Sequence, residues 1–505
     1  MPHIARLRKS FGRGLSSSYR HEILRRVVDE HTLRQKELKC PKTRQKVGIV
    51  GAGYAGLYCG WLLTKLGVDV TVFEAMDRVG GRVHSLYDFS KGRVVEAGAE
   101  LIGLNHGAML ALMRRFGLAL VDVPSEDQNL ALQLVQPIVL NGRVLSRKET
   151  KQLEKELDVL LMRISEAAKI IRFPDRPWLE SEAVQQLDTV SIADVLDRWG
   201  IHGDLRTLFD LETDNDNVAD VSQQSWLGLL CQVRGGSLCC EPREFWDVEE
   251  LFRSAEGNQK LAECLAKEIP TIHLNTPIRK IKYHPKTQTF TLFSKYKKST
   301  FDYVVLATPP SMWRKIQFSP AVDLRPYLPA LGPAVKYLST IESRFWIPEK
   351  LAACGISNLI GETWESTGNQ TDNGRQYYNF IVFAGGKNAQ KAIDLQKRGE
   401  KKVFRHFRKG VNVSYNGQFT KNLVDETLSF HSTIPFLETG YSYMKVGKVL
   451  TTGQLDNLPF EKYDGNLFFA GEYTSMVYYG YMEGALQSAI GVVELLTSRI
   501  SRGKQ

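Results

Sequence analysis

The chain lacks any run approaching the ~18 consecutive apolar residues that cross a bilayer, and its last residues, Ser501 to Gln505, are polar. Neither a membrane span nor a tail anchor is expected. Cysteine is sparse: Cys40, Cys59, Cys231, Cys239, Cys240, Cys264 and Cys354 among 505 residues. None forms a C-x-x-C pair and the count is odd, so free thiols in a reducing, cytoplasmic setting are expected rather than a disulfide framework. Cys239-Cys240 has no resolving spacing and reads as a buried or loop pair, not a redox device. No His/Cys/Asp cluster has metal-ligand spacing, so no metal is expected. Repeats and low-complexity linkers are missing too, which argues against modules strung like beads.

The formal charge is +10, but residues 1–46 hold thirteen Lys/Arg against four Asp/Glu, which leaves the other 459 residues close to neutral. The basic character belongs to an N-terminal arm, and no nucleic-acid surface is inferred. Met1 to His21 contains no acid and carries Arg6, Arg8, Lys9, Arg13 and Arg20 with Ser16, Ser17 and Ser18, which resembles a mitochondrial transit peptide. The preferred alternative is a basic helix packed on the body or left in solvent, because acids return at Glu22, Asp29 and Glu30.

What is present is ordinary globular material, 43% hydrophobic and 24% charged, enough for roughly two to four folding units. The arm reads as helix from about 21 to 38, ended by Pro41. Lys46-Val47-Gly48-Ile49-Val50 reads as a strand, followed by a glycine turn, a helix through about Leu66, and a strand from Val68 to Phe73 closed by Glu74: one βαβ unit. From 107 to about 251 the pattern is mainly helical, with a long amphipathic stretch at 147–171. Residues 271–310 turn β-rich, and the last helix runs from about 483 to 498.

Gly51-Ala52-Gly53-Tyr54-Ala55-Gly56 is a G-x-G-x-x-G that follows a strand and opens a helix, with Glu74 eighteen residues beyond it at the end of the next strand. Gly51 permits the tight turn, Gly53 lets backbone approach a pyrophosphate, and Gly56 lets helix and strand pack closely. The helix N-terminus favours phosphate charge, and Glu74 can accept from ribose hydroxyls. Asp77-Arg78-Val79-Gly80-Gly81-Arg82 then supplies a second glycine pair with arginines, which suits the far side of the pyrophosphate and which an NAD-only domain does not need.

From Glu74-Ala75 to Gly80-Gly81-Arg82 the sequence resembles the FAD signature of the flavin amine oxidase family, which contains monoamine, polyamine and L-amino-acid oxidases. Asn466 to Thr474, containing Ala470-Gly471-Glu472-Tyr473-Thr474, looks like that family's second flavin motif, and Gly480-Tyr481-Met482-Glu483-Gly484-Ala485 like the segment beneath its isoalloxazine ring. Gly257 to Leu261 and Thr276-Pro277-Ile278 resemble its central FAD-binding stretch, with the Ile278 backbone against adenine. The likeness recurs from about 46 to 495.

The resemblance implies an α/β fold: a discontinuous FAD-binding domain of glutathione-reductase-like Rossmann type, interleaved with an α+β substrate-binding domain. The expected division is a basic arm at 1–45, FAD-binding parts at 46–104, 250–310 and 450–498, and substrate-binding parts at 105–249, mainly helical, and 311–449. The implied reaction is oxidative deamination of an amine or L-amino acid, with hydride transfer to FAD, an imine product and electrons passed to O2 to give H2O2. The expected partners are a small-molecule amine or amino acid and O2, with a homodimer left open. The FAD contacts implied are Gly51, Gly53, Ala55, Gly56, Glu74, Ala75, Gly81, Arg82, Gly98, Ala99, Glu100, Leu101, Ile278, Gly471, Glu472, Tyr481 and Met482.

Lys336 stands ten residues before Trp346, the spacing at which the family places its flavin-facing lysine; the alternative is a surface lysine on a strand edge. Tyr441 and Tyr481 match the two aromatic positions that flank the substrate nitrogen, where aromatic faces attract a cation. Monoamine oxidases attach flavin through a cysteine just before the first of these tyrosines. Gly440 stands there, so the resemblance implies non-covalent FAD. The substrate-facing strand from Glu96 to Gly103 lacks the carboxylate-binding arginine of many L-amino-acid oxidases and carries Glu100. That acid would attract a cationic amine and repel a carboxylate, or would instead be a hydrogen-bonded acid that orients its surroundings. For a basic amino-acid substrate, Arg234 and Arg243 are the candidate carboxylate partners. His106 is a candidate pocket residue, with a structural role the commoner alternative. A flavin oxidase of a larger natural product and a non-catalytic flavoprotein binding module are the rival functions.

Overall fold

The computed structural model describes residues 17–123, 133–238, 241–370, 377–456 and 463–502. The acid-free run up to residue 16 and Cys239-Cys240 lie outside the described residues.

Short apolar strands build a parallel sheet in the order Leu467–Phe469, Tyr303–Leu306, Lys46–Val50, Asp69–Phe73, Ile272–His273. Its inner strands read as continuous apolar runs because both faces are covered. On one face lies the helix Tyr54–Lys65, buried from Tyr54 to Leu63 and packed against the last helix, Met482–Arg502. On the other face lies a four-stranded sheet, Lys298–Phe301, Thr289–Phe293, Lys280–His284 and Gln317–Ser319. It shares a core of Val50, Phe73, Val304 and Leu306 with Ile281, Phe290, Leu292 and Phe301. The parallel sheet draws strands from 46–104, 250–310 and 450–498.

The other half of the molecule is a seven-stranded sheet ordered Leu423–Phe430, Ala334–Ile341, Tyr378–Gly385, Gly361–Glu365, Gly355–Ser357, Ile138–Leu140, Arg143–Val144. Helices pack beside it, among them Arg147–Ala168, Gly203–Asp216 and Trp226–Gly235. The first of these begins at a capping box: the Ser146 hydroxyl accepts from the Glu149 N–H and the Glu149 carboxylate accepts from the Ser146 N–H.

The arm forms a helix, Ser17–Glu37, that packs on the body. Ile23 and Val28 are buried, the His31 and Tyr58 side chains are hydrogen-bonded at 3.0 Å, and Arg34 pairs with Glu494 at 3.0 Å. Of the two readings of the arm, the packed helix describes residues 17–37. Among the described residues no helix is long and apolar enough to cross a membrane.

Candidate active site

A cavity of about 670 Å³ runs between the two halves. Its nucleotide end is shaped by the glycine turn. Gly51 adopts φ +109°, and a Cβ there would meet the Ala307 carbonyl oxygen at 2.7 Å, so only glycine fits. A Cβ on Gly56 would collide with the Gly51 carbonyl. Gly56 is the one expected cofactor contact that does not line the cavity; it sits behind the turn, where its smallness lets the helix approach.

The Glu74 carboxylate accepts from the Ala52 N–H at 2.7 Å and the Met76 N–H at 2.8 Å. Burial pushes its pKa up, opposed by those two N–H groups. The helix Tyr54–Lys65 has no side-chain cap and no acid in its first turn, so its N-terminal end is open to an anion in the cavity. Ala75, Gly81, Arg82, Gly98, Ala99, Leu101, Ile278, Gly471 and Met482 all line the same space.

Lys336, Glu100, Tyr441, Tyr481 and Glu472 line the same cavity. Lys336 lies in the strand Ala334–Ile341, which is paired on both sides, and is only 5% exposed; the strand-edge surface alternative is set aside. Its ammonium donates to the Glu96 carbonyl at 3.1 Å and to Glu100 Oε2 at 2.9 Å. Glu100 Oε1 accepts from Arg253 Nε at 2.8 Å and Trp364 Nε1 at 3.0 Å. Burial works against the Glu100 carboxylate, but Lys336 and Arg253 prevail and hold its pKa below the usual range. Both oxygens are engaged, so of the two roles expected of Glu100 the geometry favours orientation of its neighbours over attraction of substrate.

Tyr441 donates its hydroxyl to the Asp216 carbonyl at 2.6 Å and stacks on Phe383 with centroids 6.5 Å apart. Tyr481 meets the edge of His106 at 5.3 Å. Burial raises both phenol pKa values well above the usual range, with Glu250 and Glu362 adding to the effect at Tyr441 and Glu249 and Glu250 at Tyr481, so both rings are neutral.

His106 does not line the cavity. It is buried beneath Tyr481, with Nε2 3.2 Å from Glu249 and Nδ1 accepting from the Gly103 N–H. Arg234 and Arg243 are likewise absent from the cavity wall. Arg234 lies on the helix Trp226–Gly235 and bonds the Ile171 carbonyl, so the carboxylate-binding role weighed for these two arginines has no geometric support.

The family model for flavin containing amine oxidoreductases matches residues 54–497. The chain belongs to that family. It is 24% identical over 490 residues to a protein named probable flavin-containing monoamine oxidase A of Dictyostelium discoideum, covering 92% of this chain and 99% of the relative. It is 22% identical over 481 residues to an L-amino-acid oxidase of Bungarus fasciatus, covering 90% and 87%. Among solved structures, a double mutant of putrescine oxidase redesigned at its cofactor-binding site superposes with a TM-score of 0.77 at 20% identity, covering 91% of this chain and all of that one. That likeness establishes the fold.

The cradle of this flavin amine oxidoreductase fits a flavin dinucleotide. Glycines sit where a Cβ would close the turn, the helix N-terminus is uncapped, and Glu74 is fixed by two backbone N–H groups. Sequence reasoning missed Arg253, Trp364, Glu362, Glu250, Asp216 and His431. Glu362 and Trp364 alternate on one face of the buried strand Gly361–Glu365 and line the cavity; an acid and a tryptophan two apart within a strand were the available signal. His431 also lines the cavity, its pKa lowered to about 3 by burial and by nearby Lys336 and Arg82, so it faces the cavity uncharged.

Proposed function

We propose that this chain is an FAD-dependent oxidase of a cationic amine, holding FAD non-covalently and using O2 as electron acceptor. The observation that carries this reading is that Lys336, Tyr441 and Tyr481 converge on one cavity with the dinucleotide cradle. When bound, FAD supplies the two-electron acceptor for oxidation of the carbon–nitrogen bond, and O2 takes those electrons on to H2O2.

The protein's own groups orient and select. Tyr441 and Tyr481 offer neutral aromatic faces to the nitrogen. An ammonium has three N–H donors; two of those on Lys336 are engaged by Glu96 and Glu100, leaving one for a water in the cavity it lines. Glu250, Glu362 and Asp216 line the cavity, and their charge favours a cation over a carboxylate. This takes over the electrostatic argument first attached to Glu100. Gly440, the residue before Tyr441, lines the cavity, and no cysteine does so among the described residues, which supports non-covalent attachment.

The test is anaerobic mixing of the purified flavin-loaded protein with a panel of amines and amino acids while flavin absorbance is followed. Bleaching by an amine is expected, and no bleaching by any amino-nitrogen compound overturns the reading. Acid precipitation should release FAD into the supernatant; flavin retained in the pellet contradicts non-covalent binding.

A further inference from the structure

Glu472 opens the single turn Glu472–Thr474, directly after Gly471, and is 4% exposed. Its Oε1 accepts from Arg82 Nη1 at 2.6 Å and from the Ser442 N–H at 3.3 Å. Its Oε2 accepts from the Ser442 hydroxyl at 2.5 Å and the Gly480 N–H at 2.7 Å. Arg82 Nη1 also donates to the Gly440 carbonyl at 3.1 Å. Tyr441 is therefore tied through both of its chain neighbours, and Tyr481 through the residue before it, to one carboxylate and its arginine. The tethered segments also touch. Gly480 adopts φ +80°, and a Cβ there would press on the Tyr441 ring at 2.9 Å, so glycine lets the second segment close against the first ring.

The two tyrosines are 40 residues apart in the chain, Tyr441 opening the strand Tyr441–Tyr443 and Tyr481 just preceding the helix Met482–Arg502. Nothing local fixes their separation. A carboxylate has about four lone-pair sites on two oxygens, and here four donors from three chain segments occupy them. Charge-assisted bonds of this kind are short and strongly directional, and a buried network rigidifies what it joins only when all members are satisfied.

We propose that Glu472 is a positioning residue that sets the separation of Tyr441 and Tyr481 and, through Arg82, ties that separation to the cofactor arm of the cavity. This rests on reading the two tyrosines as the substrate-flanking pair. The amide of Glu472→Gln can still accept from Arg82 and the Ser442 N–H through its oxygen, but its nitrogen cannot accept from the Gly480 N–H. That variant releases the Tyr481 side. Ser442→Ala removes one bond on the Tyr441 side and leaves the carboxylate in place.

The experiment is 19F NMR of the flavin-loaded protein labelled with 3-fluorotyrosine, with the Tyr441 and Tyr481 resonances assigned through Tyr441→Phe and Tyr481→Phe. In Glu472→Gln the Tyr481 resonance should shift or broaden while those of distant Tyr283 and Tyr303 stay in place. In Ser442→Ala the Tyr441 resonance should move more than that of Tyr481. Unchanged Tyr441 and Tyr481 resonances in both variants overturn the proposal, as does a shift spread evenly over all tyrosines, which marks a merely structural acid. Should Glu472→Gln fail to fold, Ser442→Ala decides alone. Anaerobic addition of benzylamine to the parent protein separates the two readings. If neither benzylamine nor the amine panel moves either resonance or bleaches the flavin, the substrate-flanking reading fails, while the variant shifts still report on Glu472.

Discussion

Lys336 and Glu100 meet at 2.9 Å inside the protein, with side chains 7% and 2% exposed, and Arg253 shares the same carboxylate at 2.8 Å. One anion thus serves two buried cations. Removing the one anion shared by two buried cations costs about 3–5 kcal/mol. Glu100→Gln should lose stability of that order in urea unfolding, because both Lys336 and Arg253 lose their anion. The Glu100 pKa is held below the usual range, so its contribution is complete above the unfolded value of about 4.3 and is lost only as pH falls further. The deficit of the variant should therefore still be present at about pH 5, modulated near pH 7 by Glu96, whose carboxyl is pushed up to about 7 by burial and also by Glu100. A loss under about 1 kcal/mol would show that the pair is not the anchor described.

Lys336→Met keeps Glu100 bonded to Arg253 and Trp364, so folding and flavin content should hold. The water held by Lys336 is proposed to assist reoxidation of the flavin, so oxidation of the reduced enzyme by O2 should slow on the order of 10²-fold, as for loss of a positioned proton-transfer group. Stopped-flow mixing of reduced protein with oxygenated buffer gives the rate, and an unchanged rate removes the role proposed for Lys336.

Replacement of either flanking ring should weaken binding more than folding. Contact of a cation with one aromatic face contributes about 0.5–2 kcal/mol, so Tyr481→Leu should raise KM for a cationic amine by about 2- to 30-fold with flavin content preserved. Tyr441→Leu should act in the same direction and also loses the bond to the Asp216 carbonyl. An unaltered KM in both would count against the aromatic pair.

Asp214 provides a pH signature outside the cavity. Burial, reinforced by Asp220, raises its pKa to about 7 against the pull of Lys387 and the Val221 N–H. The folded value exceeds the unfolded one, so this group's stabilisation is complete below about pH 4 and is lost as pH rises through about 7. Asp214→Asn keeps an oxygen to accept from the Val221 N–H, which bonds at 2.6 Å. Its melting temperature should fall less than that of the parent between about pH 5 and 8. Parallel melting curves would refute the assignment.

The local half of this architecture was legible in the sequence. The strand Lys46–Val50, the helix Tyr54–Lys65 and the placing of Glu74 follow from apolar patterning and glycine stereochemistry within thirty residues, where neighbours in sequence are neighbours in space. The site's polar wiring was not legible, because its partners come from far along the chain. Arg253 reaches Glu100 across 153 residues, and Arg82 reaches Glu472 across 390. No periodicity encodes such pairs. Glu100 could be read equally as a free charge or as a hydrogen-bonded acid until Arg253 and Trp364 were placed beside it. Arg234 and Arg243 misled for the converse reason: a charge can be named from sequence, but not the direction it faces.

The parallel sheet closes on its outermost strand, Leu467–Phe469, which pairs with Tyr303–Leu306 and is followed by the helix Met482–Arg502 against Tyr54–Lys65. On the ribosome, the glycine turn emerges long before the helix Met482–Arg502 that packs on Tyr54–Lys65. Long-range pairings of this kind form late. Until that helix is made the growing polypeptide therefore presents an unroofed dinucleotide cradle, and tight capture of the cofactor must wait for it.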